Sequence, residues 1–396
     1  MAPRCPWGFH GDSTAIPRRG SAAVPPRRRR TVRPIHRRER EADVTQIQFQ
    51  PRTDLPRRPA PGRAPAAAFV DIADADAYCA AHPVLGRIDY GATATGASLT
   101  GGHPRLGLGM GTGTADLPAF SEVWTTEGPV ETGSTNGVVW SHDDEFLLCA
   151  GHIPEAGSYA EATRSAYTTA IDLMHELGHT RCFRMWNFVN RINEDNADGL
   201  EVYRDFCLGR AHAFRRNGFA DTEVPAATGI GDRGDGIMFY LLASRNGHGT
   251  PAENPQQVAA YRYPKRYGPE APRFARATRL VLDGPGPVYV SGTASITGHL
   301  TRFHGDVERQ TGLALENIAR VLAASGPAAG AVPDLYDLDL VKVYVRHADD
   351  VPTVRAIVEA TLSPHAEVRY LVVDVCRADL LVEIEGIART VAGPRP

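Results

Sequence analysis

The apolar positions of this chain fall into one pattern that is written twice. The run Phe146-Leu147-Leu148-Cys149-Ala150-Gly151 ends in glycine, a helical stretch closed by Gly178 follows, and a second apolar run occupies 183–189. The same order recurs from Val288-Tyr289-Val290-Ser291-Gly292, through a helix closed by Gly326, to a run at 340–345. With the closing glycines superposed, an offset of 148, Ala166, Tyr167, Ala170, Ile171, Leu173 and Met174 fall on Ala314, Leu315, Ile318, Ala319, Val321 and Leu322. Apolar residues at this spacing form one face of an amphipathic helix, so each copy predicts a strand, a helix packed on the sheet, and a second strand. Leu200, Tyr203, Phe206, Cys207 and Ala211 predict a further helix over 198–218, another lies near 350–362, and a final strand covers 380–387. Residues 66–145 are rich in Gly, Ala and Thr, and turn signals such as Gly101-Gly102 and Thr135-Asn136-Gly137 predict short strands and loops there. Residues 221–277 read as a long loop with several aromatic and basic side chains, the kind of segment that more often carries function than structure.

Composition changes this picture at one end. A chain of 396 residues with 42% apolar and 22% charged residues has ample material for a core and suggests two domains. Residues 1–40 hold eleven Arg against Asp12 and Glu39, a net of +9, so against the overall −3 the remainder carries −12. A stretch such as Pro25-Pro26-Arg27-Arg28-Arg29-Arg30 cannot bury enough apolar surface to offset its ordering entropy, and residues 1–65 read as a disordered arm. Dense Arg can neutralise phosphates, but the arm is taken to lack a function of its own, and no nucleic-acid partner is expected. The domains then read as 1–65, 66–220 and 221–396. The six cysteines show no C-x-x-C pair or framework spacing, which suggests free thiols in a reducing compartment. No apolar run approaches the roughly 20 residues that span a bilayer. A cytoplasmic protein without a membrane partner is expected, as monomer or homo-oligomer.

His175-Glu176-Leu177-Gly178-His179 fits H-E-x-x-H, in which two histidines one helical turn apart bind Zn²⁺ and the Glu serves as base. That chemistry needs the helix to continue through the second His. In the second copy Pro327 stands where His179 stands in the first, directly after the closing glycine, and Gly followed by Pro is a helix stop. The repeat therefore predicts that His179 leaves the helix, and no metal is expected.

The second copy resembles the RidA/YjgF family, through Ser291-Gly292, Val307-Glu308-Arg309-Gln310-Thr311, Leu315-Glu316-Asn317-Ile318, Val341-Lys342-Val343-Tyr344-Val345 and Val382-Glu383-Ile384-Glu385-Gly386-Ile387-Ala388. From about residue 85 onward the chain is similar, more specifically, to the chorismatases, which remove pyruvate from chorismate and are built on RidA-like halves. That resemblance lies in Arg184-Met185-Trp186-Asn187-Phe188-Val189-Asn190-Arg191-Ile192-Asn193, in 203–210, in Ala260-Tyr261-Arg262-Tyr263-Pro264 through Arg276-Ala277, and in Ser291-Gly292-Thr293-Ala294-Ser295 through Gly298-His299. It implies an α+β fold of two RidA-like units and a chorismate substrate, with no metal or organic cofactor.

Chorismate is a small dianion, and the planar Arg fork suits carboxylates. Candidates are Arg262 and Arg276 in the aromatic-basic loop and Arg346 at a strand end, with Tyr263 and Tyr267 as hydroxyl donors. Glu383 and Glu385, two apart on a strand, face one side, with Val382 and Ile384 on the other. The resemblance implies that Glu383 is the proton donor for enol-ether cleavage, and burial would keep it protonated. It also implies that Cys376 and Gly292 occupy positions that separate product classes, and that together they mark the class forming 3-hydroxybenzoate by internal displacement. The alternatives are hydrolysis to a dihydroxycyclohexadiene carboxylate and, in a different class, a RidA-like imine deaminase or small-acid binder.

Overall fold

The computed structural model describes residues 64–91, 93–112, 117–282, 284–326 and 332–389, so nearly all of the expected 1–65 arm lies outside it. Three large sheets and one two-stranded hairpin organise the described residues. The first contains β1 (Ala66–Asp71), β2 (Val84–Gly91), β3 (Thr95–Thr100), β4 (His103–Gly109) and β5 (Phe120–Thr125), in the order β1-β5-β2-β4-β3, with a short helix α1 (Ala75–Ala80) between β1 and β2. The second contains β6 (Glu131–Thr135), β7 (Val138–His142), β8 (Phe146–Ile153), β9 (Arg181–Asn190), β10 (Ala226–Asp232) and β11 (Ile237–Ser244), in the order β10-β9-β11-β8-β7-β6; α2 (Ala160–Glu176) and α3 (Val202–Arg216) belong to it. The third contains β12 (His248–Ala252), β13 (Ala277–Val281), β14 (Pro285–Ala294), then, after a small hairpin of β15 (Ile296–Thr297) and β16 (Leu300–Thr301), β17 (Leu338–Val345), β18 (Glu367–Val372) and β19 (Val382–Ala388), in the order β12-β13-β14-β19-β17-β18; its helices are α4 (Val307–Ala324) and α5 (Val351–Thr361).

The repeat read from the sequence is present as topology. In the second sheet β8 leads through α2 to β9, β10 runs parallel to β9, and β11 returns antiparallel between β8 and β9. In the third sheet β14, α4, β17, β18 and β19 do the same. The first sheet repeats the scheme in reduced form: β4 is parallel to β2, and β5 lies antiparallel between β1 and β2. That third occurrence leaves no helix-length stripe in the sequence, because α1 is only six residues long.

Alternation along each strand divides the core. On β17, Val341, Val343 and Val345 face α4 and α5, together with Val382 and Ile384 of β19. Tyr167, Ile171 and Met174 of α2 and Phe206 and Phe214 of α3 cover Leu147, Met185 and Leu241 in the same way. The other faces of all three sheets meet in a common core that includes Phe69, Tyr90, Trp124, Leu148, Trp186, Tyr240, Tyr289, Tyr344 and Leu371. Period-two alternation places the opposite residues of β17 and β19, Lys342, Glu383 and Glu385, on this shared side.

The span 221–277 departs from its reading as a loop. It holds β10, β11 and β12, and β10 and β11 complete the second sheet, which therefore extends to Ser244 rather than ending at 220. Ile-Met-Phe-Tyr-Leu-Leu-Ala-Ser of β11 is buried throughout, and a strand buried on both faces shows no alternation to detect. Residues 253–276 do form a loop, with 3₁₀ turns at Ala260–Arg262 and Lys265–Tyr267.

α2 stops where the repeat requires. Gly178 has φ +82, its amide donates to His175 O at 2.9 Å, and the His179 amide donates to Met174 O at 2.9 Å, a Schellman closure. Gly326 closes α4 with φ +84. His175 and Glu176 are exposed, whereas His179 is buried, its ring 5.3 Å from that of His142, and burial lowers its pKa to about 4. The two histidines of the H-E-x-x-H string therefore do not share a helix face.

Candidate active site

The inner faces of the second and third sheets meet where β10 lies against β14. Ser291 pins this contact: its hydroxyl donates to Ala275 O at 2.6 Å and accepts from the Ala227 amide at 2.9 Å. Thr228 Oγ1 accepts from the Gly292 amide at 3.0 Å and from Arg184 Nη2 at 2.7 Å, and donates to Glu385.

Glu383 and Glu385 sit on one face of β19 as the sequence requires, and both are buried, at 4% and 2% exposure. Their surroundings differ sharply. Glu385 accepts from Arg184 Nη2 at 2.6 Å, Trp186 Nε1 at 2.9 Å and Tyr344 Oη at 3.0 Å, and lies 2.8 Å from Lys342 Nζ. Burial alone would raise its pKa, but Lys342 and then Arg184 outweigh that and hold it at about 2. Glu383 has one side-chain hydrogen-bond partner among the described residues, the Cys376 thiol 3.8 Å from Oε2. Burial first, and the charge on Glu385 second, push it up to about 8, against smaller opposing effects of Cys376, Arg276 and Arg184. At neutral pH the pair is split into one carboxylate and one carboxylic acid, the arrangement that supplies a proton donor.

Gly292 of β14 is a close-approach glycine. A β-carbon there would land on Glu383 Oε1 and lie 3.2 Å from Thr228 Cγ2, so the missing side chain is what leaves room for the acid. Cys376 is partly buried in the loop between β18 and β19, and burial pushes its thiol pKa well up, so it is a neutral wall rather than a thiolate.

Arg276 is buried, donates from Nη2 to Tyr263 Oη at 2.7 Å, and its charge acts on both Glu383 and Cys376. Tyr263 lies 5.3 Å from Tyr267, centroid to centroid, and Tyr267 Oη donates to His299 O at 2.6 Å. Arg377, next to Cys376, closes over Tyr267 at 4.2 Å and Tyr263 at 5.3 Å. The structure thus brings together Glu383, Cys376, Gly292, Arg276, Tyr263 and Tyr267.

Two of the sequence candidates are placed elsewhere. Arg262 is exposed and stacks over Tyr261 at 5.7 Å. Arg346 has every guanidinium nitrogen bonded within the protein: Nε to Leu380 O at 2.8 Å, Nη1 to Asp374, and Nη2 to Asn193 Oδ1, Val375 O and Arg377 O at 3.1, 3.0 and 2.8 Å. It is a strut for the loop that carries Cys376, not an open carboxylate receptor. The supporting groups Arg184, Thr228 and Lys342 were not singled out from the sequence. A lysine at an inward position of the strand Val341-Lys342-Val343-Tyr344-Val345 was the available signal, since such a charge needs a buried partner.

Comparison with known proteins fits this geometry. Residues 122–243 match the family model described as chorismatase FkbO/Hyg5-like, N-terminal, and residues 274–390 match that described as endoribonuclease L-PSP. A 3-hydroxybenzoate synthase of Streptomyces hygroscopicus is 52% identical over 313 residues, 77% of this chain and 91% of that protein. The chain belongs to the chorismatase family. A chorismatase of Streptomyces rapamycinicus is 46% identical over 77% of this chain and 92% of its own length. A crystal structure of a chorismatase superposes with a TM-score of 0.78 at 44% identity, covering 82% of this chain and 98% of that one. The fold is thus the mixed α+β chorismatase fold with a RidA/YjgF-like domain in its C-terminal part. No helix among the described residues is long and apolar enough to cross a membrane.

Proposed function

We propose that this chain cleaves chorismate to pyruvate and 3-hydroxybenzoate, with Glu383 as the proton donor. The observation that carries the reading is the split carboxyl pair, with Glu383 held neutral beside an ionised Glu385. Glu383 delivers its proton to the methylene carbon of the enolpyruvyl group. The ether bond from the ring carbon then breaks as the neighbouring ring hydroxyl oxygen bonds to that carbon, and the resulting arene oxide opens to the phenol. All the atoms of chorismate end in the two products, so no co-reactant enters. Buried Arg276, fixed by Tyr263, supplies positive charge for the dianion, and Tyr263 and Tyr267, with Arg377 stacked over them, supply the adjoining aromatic surface. The shared strand order supports reading the second sheet with α2 and α3 as a further RidA-like unit. A cytoplasmic location accords with cysteines that are free where described.

The test is incubation of the purified protein with chorismate and EDTA, with products separated by chromatography and pyruvate assayed enzymatically. Equal amounts of pyruvate and 3-hydroxybenzoate, insensitive to EDTA, are expected; absence of pyruvate overturns the reading.

Cys376 and Gly292 flank Glu383, and this supports their assignment to product control. Cys376→Val is expected to redirect part of the product from 3-hydroxybenzoate to the dihydroxycyclohexadiene carboxylate. An unchanged product ratio in the chromatogram would remove Cys376 from that role.

A further inference from the structure

Glu253 follows β12 directly. Both of its carboxylate oxygens are sealed from solvent and lack a hydrogen-bond partner. The Arg276 amide approaches them without reaching hydrogen-bond geometry. Arg276 Nε is likewise buried and unpartnered, while Nη2 is held by Tyr263 and, at 3.4 Å, by Val258 O. Ala252 pairs with Ala277, and Ala277 with Val290, and these three belong to the core on the α4 side. Alternation therefore sends Glu253, Arg276 and Ser291 toward the opposite side, where Glu383 lies. The charge of Arg276 acts on Glu253 and also on Glu383 and Cys376.

Buried polar groups without partners are rare in folded proteins, and here two of them, the Glu253 carboxyl and Arg276 Nε, lie within electrostatic reach of one another. An unpartnered acceptor and an unpartnered donor on one side of the sheet suit a group that both donates and accepts, and of the groups chorismate carries the ring hydroxyl is the one that does so. Burial raises the Glu253 pKa to about 7 against the pull of Arg276, so the group can take up and return a proton near neutrality.

Building on the chorismate-cleaving reading, we propose that Glu253 binds the substrate's ring hydroxyl and accepts its proton, acting as the general base that makes this hydroxyl the internal nucleophile. The proton passes to Glu253 and the oxygen bonds to the neighbouring ring carbon. The bond from that carbon to the pyruvyl oxygen breaks, its electron pair forming the ketone of pyruvate, whose methyl group holds the proton from Glu383. Opening of the arene oxide takes one proton onto the oxygen and releases one from the ring carbon, which restores both carboxyls.

The test measures pyruvate and 3-hydroxybenzoate in parallel. Glu253→Gln is expected to lower 3-hydroxybenzoate formation by about a hundredfold, with KM changed by less than about threefold. Pyruvate release should fall less, because water can replace the undeprotonated hydroxyl, so the ratio of pyruvate to 3-hydroxybenzoate rises. A purely structural role would leave that ratio equal. Unchanged turnover with equal products overturns the proposal. The wild-type protein gives a second test that needs no variant. It should bind 4-hydroxybenzoate, whose hydroxyl sits where chorismate carries it, at least about tenfold more tightly than benzoate, by calorimetry; equal affinities overturn the proposal. Absence of pyruvate from wild-type protein would instead defeat the chorismate-cleaving reading, while the hydroxyl preference is measured independently of turnover.

Discussion

Glu383→Gln is expected to lower chorismate turnover by at least about a hundredfold while KM stays within about threefold. Glutamine keeps the volume and can still bond to the Cys376 thiol, but it has no proton to give to carbon. The effect should therefore fall on kcat, the signature of a group whose work is done in the transition state. The same carboxyl sets a pH dependence. Its pKa is raised to about 8, by burial and then by the charge on Glu385. The working form is the protonated one, so it is fully present well below that pH and is lost as pH rises through about 8. The wild-type rate should thus decline on its alkaline side around that value, measured as kcat across a buffer series. A rate that holds flat well beyond it would mean that Glu383 is not the donor.

The second large effect is on stability. Lys342→Met should destabilise the fold by about 3–5 kcal/mol, the usual result of removing one partner from a buried ion pair. Lys342 Nζ lies 2.7 Å from Glu122 Oε2, 2.8 Å from Glu385 Oε1 and 2.8 Å from Tyr90 Oη, with both carboxylates at 2% exposure. Glu122 also accepts from Tyr90 and Tyr240, each at 2.9 Å, so residues of all three sheets converge on this one ammonium. Without it, two carboxylates face each other in the shared core. Urea unfolding monitored by tryptophan fluorescence checks the prediction, since Trp124 and Trp186 lie in that core. Adding Glu122→Gln to Lys342→Met should recover part of the loss, because the second change removes the charge that the first left unpaired. A single variant as stable as wild type would mean that the network contributes nothing.

Much of this was legible in one dimension because it follows from local periodicity. The stripe from Tyr167 to Met174 and its counterpart from Leu315 to Leu322 specify helices, and Gly178 and Gly326 end them, since both adopt positive φ. The common face of Glu383 and Glu385 follows from the two-residue period of a strand. β11 shows no alternation because it is buried on both faces, the same holds for β2 and β5 of the first sheet, and β3, Thr-Gly-Ala-Ser-Leu-Thr, carries too few apolar residues to form a pattern. By residue type Arg262, Arg276 and Arg346 are alike, and in sequence only the family resemblance favours Arg276. Arg276 alone is both buried and left with an unpartnered nitrogen beside the acid, and neither property is written in residue type.

The sequence by itself therefore determined the repeated strand-helix-strand units, the end of the helix that excludes a shared face for His175 and His179, and the pairing of two carboxyls on one strand. Only the tertiary structure decided that those carboxyls are unequal. Lys342 comes from β17, Arg184 from β9 and Thr228 from β10, and all three converge on Glu385 while Glu383 is left with a thiol. Electrostatic environment in a low-dielectric interior depends on distances between segments remote in sequence, and it is those distances that make one carboxyl a counterion and its neighbour an acid.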